Sequence, residues 1–546
     1  MIREALEKAI AAALGELGAG SVSFTVERPG SMDHGDYATN AALAAAKALK
    51  KNPKEVAQML LTMLSSIEGI KKTEIAGAGF INFFISREAV AKEISRAAQD
   101  AEWGSNSLYK GKTVMVEYTD PNPFKEFHIG HLMSNAIGES VARVLEISGA
   151  KVIRANYQGD VGPHVAKAIW GKMQKPELSW GETYVLGNAE YEAHKADIDM
   201  INKQVYEKSD DKVAELYAAG RKLSLEHFEE LYTALGTKFD RYFFESETTP
   251  LGTALVKKHP ELFVESEGAR VFRGEEEGLH TRVFITSQGL PTYEAKDLGL
   301  LDVKSKEKLD VSITVTANEQ NEYFKVVLAA AAHIAELAEI AGKTKHVSHG
   351  MMRFAEGKMS SRKGNVITGE SLLEDLKDAA KEKMEGRELA DAEKTAEAVA
   401  VGAIKYSVLK QGSGRDIIFD PEKSLSLEGD SGPYIQYAHT RALSLLKNAG
   451  REGVEPGTDD KPAAANALER LILHFPDVLS RAAQELEPHH ITTYVTELAS
   501  TFNSWYASER IIGGTNPQYG ILIAQAVEAT LKKGLHALGI PAPEEM

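Results

Sequence analysis

Two short stretches of this chain carry residue types that could manage phosphates. His128-Ile129-Gly130-His131 sets two imidazoles three positions apart. At a helix start both could donate to one anion. Gly130 leaves room for a nucleotide to approach the backbone. Lys358-Met359-Ser360-Ser361-Arg362-Lys363-Gly364-Asn365 reads as a basic loop of small residues. Lys358, Arg362 and Lys363 suit the oxygens of a triphosphate, with Met359 and Ser360 in the same nucleotide-binding stretch. In this order, about 230 residues apart, the pair points to adenylate transfer from ATP. That chemistry needs charge stabilisation at a pentavalent α-phosphate and neutralisation of the leaving pyrophosphate. Taken alone, a His-x-Gly-His is more often a surface or core pair, and a basic loop more often a solvated turn. The elements around them shift that balance.

Residues 113–118 read as a strand, 120–123 (Asp-Pro-Asn-Pro) as a turn, 131–148 as a helix closed by Gly149, and 151–157 as a second strand. Such a unit implies parallel strands with a right-handed crossover, and ligands bind beyond the carboxyl ends of such strands. Residues 1 to about 105 read as a compact α+β unit. It has helices at 2–17 and 54–64, a strand at 23–26, and a glycine turn entering a strand over 75–85. Residues of about 175–250 are helical and charged, as in an insertion. Residues 271–273 and 282–285 flank a hairpin turn, and 310–316 is a buried strand. From about 395 onward the pattern is helical, interrupted near Gly412 to Gly414 and Gly453 to Pro462, as in a separate bundle. The expected fold is therefore multidomain α/β. It comprises a small α+β N-terminal domain (1–105), a Rossmann-like parallel-sheet catalytic domain (106–394) and an all-α C-terminal bundle (395–546).

A length of 546 residues allows three or four domains. No apolar run approaches the ~20 residues that span a bilayer, and the first residues open an amphipathic helix, so a cytoplasmic enzyme with no membrane partner is expected. The absence of cysteine removes disulfides, thiol nucleophiles and Cys-based metal sites. Sixteen histidines include no His-Glu-x-x-His pattern, so no protein-held metal is expected. A net charge of -16 disfavours a non-specific nucleic-acid coat but allows one RNA to meet a local basic face.

Beyond the two signatures, residues 117–127 (Glu-Tyr-Thr-Asp-Pro-Asn-Pro-Phe-Lys-Glu-Phe), 154–160 and 432–441 resemble segments of class I aminoacyl-tRNA synthetases, and within that class of the arginyl-tRNA synthetase family. Residues 34–40 and 79–82 resemble that family's extra N-terminal domain. The resemblance covers nearly the whole chain and is weakest over 175–250. It implies activation of L-arginine with ATP and Mg²⁺, transfer to tRNA-Arg, a monomer, and a first step that needs the tRNA. His128 and His131 would stabilise the transferring phosphate. Glu117, Asn122, Tyr293, Asp297 and Gln320 would hold arginine, whose planar, permanently charged guanidinium demands carboxylates and carbonyls in a fixed plane. Tyr434 and Tyr437, with Trp505 and Tyr506 as further candidates, would stack on anticodon bases, although Trp505 reads better as bundle core. Phe80 and Asn82 would touch the tRNA elbow. The chain departs from the class at Ser361, where the second signature normally carries another lysine. The resemblance implies that Lys125 supplies that charge beside Lys358 and Lys363, and Arg362 could share the task. Other class I synthetases fit less well, since cysteinyl types need cysteine and glutamyl types a basic pocket. The intact histidines and basic loop argue against a non-catalytic tRNA binder, and a small-substrate nucleotidyltransferase would not need about 150 residues of C-terminal helical domain.

Overall fold

The computed structural model describes residues 2–64, 66–355 and 367–546. They pack as two compact units.

The first unit joins Met1–Ser105 with Tyr437–Arg481 and Tyr494–Gly534. Its N-terminal part is a four-stranded antiparallel sheet in which Phe80–Ile85 lies between Tyr37–Thr39 and Ile70–Ala76. Gly77 and Gly79 adopt positive φ in the turn between the two longer strands, where a side chain would be strained. The helix Pro53–Met63 starts as its sequence dictates: Asn52 Oδ1 accepts from Lys54 N–H at 3.0 Å, and proline takes the first turn. The expected strand at 23–26 reduces to Val26–Glu27, because Thr25 N–H turns aside to Asn40 Oδ1. Helices from the C-terminal half cover the N-terminal residues. Trp103 is buried and donates from Nε1 to Thr530 Oγ1 at 3.1 Å. Arg87 meets the fully buried Glu469 at 2.9 Å.

The second unit holds Asn106–Gln436, Ala482–Thr493 and Leu535–Met546. Strands β1 (Thr113–Glu117), β2 (Lys151–Gln158), β3 (Arg241–Phe244), β4 (Val311–Ala317) and β5 (Thr344–His349) form a parallel sheet in the order β5-β4-β1-β2-β3. Val114, Met115 and Val116 are all buried, as expected of a strand covered on both faces. Chain order reverses between β1 and β4, and this switch point opens a crevice at the carboxyl ends of the strands. Helix α1 (Ile129–Ile147) links β1 to β2, and His128 is its N-cap. Helix α2 (Asp211–Ala234) ends the helical insertion. The insertion does not run to 250, as the charged pattern implied. The short aromatic run Arg241–Phe244 is the edge strand β3, and Glu245 opens α3 (Glu245–Lys258).

Helix α4 (Tyr293–Ser305) crosses α3 at near backbone contact. A Cβ on Gly252 would lie 1.6 Å from Ala295 O, and one on Gly299 2.1 Å from Thr248 O. No larger residue fits at either position, so the two glycines set the distance between Glu245 and the side chains of α4. Helices α5 (Gly369–Lys383) and α6 (Ala392–Leu409) also belong to this unit. The helical pattern from 395 thus begins beside the sheet. It is interrupted by the strand Ile417–Phe419, which pairs with Met352–Phe354.

Candidate active site

The loop from β1 to α1 is under strain. Thr119, Asp120 and Phe124 have φ of 78°, 46° and 71°, a conformation costly for residues with a side chain and concentrated at functional sites. Hydrogen bonds from neighbouring elements hold it. Thr119 N–H donates to Ser134 Oγ at 2.9 Å, Phe124 N–H to Ser224 Oγ at 3.0 Å, and Tyr157 N–H to Asp120 Oδ1 at 2.7 Å. Asn122 packs so closely on Gly159 that a Cβ there would sit 2.2 Å from its Oδ1.

A cavity of about 470 Å³ opens at the carboxyl ends of β1 and β4. It brings together eight of the residues singled out in the sequence: Glu117, Asn122, His128, Gly130, His131, Tyr293, Asp297 and Gln320. On one wall the two imidazoles stack 3.5 Å apart, 24° from parallel. His131 Nδ1 accepts from His128 N–H at 3.2 Å, so in the neutral ring Nε2 carries the proton and is a donor. Burial, then His128 and Lys125, push the His131 pKa well below its usual value, and burial and Lys125 lower that of His128. Both are uncharged donors at neutral pH. Gly130 makes room for protein as well as for ligand, since a Cβ there would meet the His128 ring at 3.0 Å. Thr368, just past the second signature, pairs with His128 in an antiparallel bridge, and Gly369 N–H donates to Phe127 O at 2.7 Å.

The opposite wall is acidic. Five carboxylates line the cavity: Glu117, Glu245, Glu294 and Asp297 on this wall, and Asp120 in the loop that leads from β1 toward the imidazoles. Three have cations. Lys304 Nζ lies 2.8 Å from Glu117 Oε2, Lys296 Nζ 2.5 Å from Glu245 Oε2, and Arg282 Nη1 3.1 Å from Glu294 Oε1. Asp297 and Asp120 have no ion-pair partner among the described residues. Asp297 accepts from Tyr323 O–H at 2.6 Å. Burial, with added push from Glu117 and Glu245, still raises its pKa to about 7. Burial and then Glu117 hold the Asp120 carboxyl well above the usual range. Asp160, fully buried, ties the wall together by accepting from Ser246 N–H, Ser246 Oγ, Tyr217 and Arg221.

Lys304, Lys296, Glu245 and Tyr323 had no assigned role in the sequence. Only one signal could have found Lys304: it follows Asp297 by seven positions, on the same face of α4. Lys125 does not line the cavity; its Nζ lies 5.0 Å from the centre of the Tyr184 ring, and burial and Lys167 lower its pKa. Lys358, Met359, Ser360 and Lys363 lie outside the described residues. Phe80 is 40% exposed, but Asn82 is 2% exposed within the sheet, so a direct tRNA contact by the Asn82 side chain is not available. Tyr434 and Tyr437 are half-buried, and the Arg441 guanidinium lies 4.8 Å from the Tyr437 ring centre. Trp505 packs beside Leu445, Ala449 and Ile521.

Residues 94–421 match the family described as tRNA synthetases class I (R), catalytic domain. Residues 435–546 match the DALR anticodon binding domain, and 1–85 the arginyl tRNA synthetase N terminal domain. The arginine–tRNA ligase of Clostridium acetobutylicum is 32% identical, over 95% of this chain and 96% of its own length. That of Lactococcus lactis subsp. cremoris MG1363 is 30% identical over the whole of both chains. Among solved structures, Thermus thermophilus arginyl-tRNA synthetase superposes with a TM-score of 0.85 at 28% identity, covering both chains entirely. The fold and matched catalytic domain define a class I aminoacyl-tRNA synthetase, and within that class the chain belongs to the arginyl-tRNA synthetase family.

Proposed function

We propose that the chain is an arginine–tRNA ligase and that the cavity at the switch point is where arginine meets ATP. One observation carries this reading: the imidazole wall supplies neutral donors, while the facing wall holds more carboxylates than cations. Asp297 pairs with the guanidinium. Glu117, already balanced by Lys304, offers an acceptor without net charge, and Asn122, Tyr293 and Gln320 complete the fit. The α-carboxylate of arginine attacks the α-phosphorus of ATP, and the bond to the bridging oxygen breaks as pyrophosphate leaves. His131 Nε2–H and the His128 ring donate to the α-phosphate oxygens as charge builds there. Lys125, Lys358 and Lys363 offset the pyrophosphate. A hydroxyl of the terminal tRNA ribose then attacks the arginyl carbonyl, and AMP departs.

No group of three or more His, Asp or Glu side chains that could hold a metal occurs among the described residues. Mg²⁺ brought with ATP would offset charge on its phosphates. Tyr434, Tyr437 and Phe80 are the proposed tRNA contacts. The chain acts as a cytoplasmic monomer. No described helix is long and apolar enough to cross a membrane, and light scattering should return a mass near 59.4 kDa, with twice that value refuting the monomer.

ATP–pyrophosphate exchange tests the whole scheme. Exchange is expected with arginine, not with lysine or glutamate, and only when tRNA-Arg is present. Exchange with another amino acid would refute the assignment of the acidic wall. Normal exchange without tRNA would refute the tRNA requirement alone.

A further inference from the structure

Arginine carries two cations, a guanidinium at one end and an α-ammonium group at the other. The cavity likewise holds two carboxylates without a cation among the described residues, Asp297 on α4 and Asp120 just past β1. We propose that Asp120 binds the α-ammonium group while Asp297 takes the guanidinium, so that the amino acid is selected by charge at both ends. This rests on the cavity being the arginine site.

Position assigns the two ends. The α-ammonium shares its carbon with the carboxylate that attacks ATP, so it must lie toward the imidazole wall. Asp120 belongs to the loop that leads into α1 and its two histidines, and the neighbouring Thr119 is tied to Ser134 on α1. Asp297 belongs to the other wall, where Tyr323 holds it. The Asp120 carboxylate is also fixed before any substrate arrives. Its φ of 46° sets the direction of the side chain, and Tyr157 N–H occupies Oδ1 at 2.7 Å. Oδ2 has no donor among the described residues. A rigid acceptor with one open oxygen loses little entropy when an ammonium docks. The arriving cation also supplies the counter-charge that burial withholds.

The test uses full-length protein and the variant Asp120→Asn. Asparagine tolerates the left-handed backbone and keeps an Oδ1 acceptor for Tyr157, so the change removes charge with little else. The probe is 5-guanidinopentanoate, arginine without its amino group, as an inhibitor of aminoacylation. The wild type should prefer arginine over this analogue on the order of tenfold to a hundredfold, the worth of a hydrogen bond to a charged group. In Asp120→Asn the preference should fall to roughly threefold, a neutral hydrogen bond, while preference for arginine over uncharged citrulline persists. An unchanged arginine-to-analogue ratio would overturn the proposal. Should the asparagine variant not fold, Asp120→Ser gives the same ratio to the same effect. In Asp297→Asn the citrulline preference should collapse instead. If it does not, the assignment of the cavity has failed rather than the role of Asp120.

Discussion

On the proposed reading, Asp297 should make arginine binding depend on pH across the neutral range. In the free enzyme its carboxyl titrates at about 7 because burial, Glu117 and Glu245 outweigh Lys304 and the Tyr323 hydroxyl. A bound guanidinium favours the ionised form, so binding expels a proton whenever the carboxyl begins neutral. Apparent affinity is then weakened by a factor of one plus ten to the power of pKa minus pH. At pH 8 that factor is about 1.1 and at pH 6 about 11, so the arginine KM should rise about tenfold between them. The imidazoles do not confuse the measurement, since both lie below their usual pKa and stay neutral across most of this window. Asp120, raised in the same direction, can only steepen the trend. The assay is steady-state aminoacylation at saturating ATP and tRNA from pH 6 to 8, with Asp297→Asn alongside. The variant should bind arginine roughly a hundredfold more weakly, the cost of removing one partner of a buried charge pair, and lose this carboxyl's contribution to the slope. A flat wild-type profile, or a variant with the wild-type slope, would refute the reasoning. The sign carries over to stability. A carboxyl raised from about 4 to 7 binds its proton more tightly in the fold, so the empty protein loses stability as pH climbs through that interval. Added arginine should therefore raise Tm more at pH 8 than at pH 6.

Three further changes test other parts of the site. His131→Gln should lower kcat by roughly a hundredfold to a thousandfold, as for other lost transition-state donors, with arginine KM changed little; an equal loss in both would refute the donor role. Gly252→Ala puts a methyl 1.6 Å from Ala295 O and should cost about 1–3 kcal/mol or more, with a lower Tm and an arginine KM that rises more than the ATP KM as α3 and α4 part. Lys304→Met strands the 3% exposed Glu117 and should cost about 3–5 kcal/mol. Adding Glu117→Gln should recover most of that in thermal unfolding, and strict additivity of the two changes would refute the pairing.

The sequence exposed the site's outline because its chemistry sits in contiguous runs. The strand-turn-helix from 113 to 148 placed both histidines, and the resemblance extended over nearly the whole chain. What escaped was whatever depends on contacts between distant segments. Glu245 had no partner until α3 and α4 were seen to cross. Lys304 carried no signal of its own in the sequence, yet it is 2% exposed. Arg241–Phe244 was lost among charged helices because four residues give too little periodicity to signal a strand. Asn82 was matched as a surface contact, while its burial follows from pairing with Ala38 and Glu74 on both neighbouring strands.

The joining of the first 105 residues to helices from the far end of the chain has a consequence for biosynthesis. Trp103 is separated from Thr530 by 427 residues. At translation rates of about 5–20 residues per second, roughly 20 to 90 s pass between the emergence of one and the other. Through most of that interval the N-terminal segment lacks the surface that buries Trp103 and the partner that meets Arg87. The N-terminal segment thus leaves the ribosome well before the helices that complete its packing.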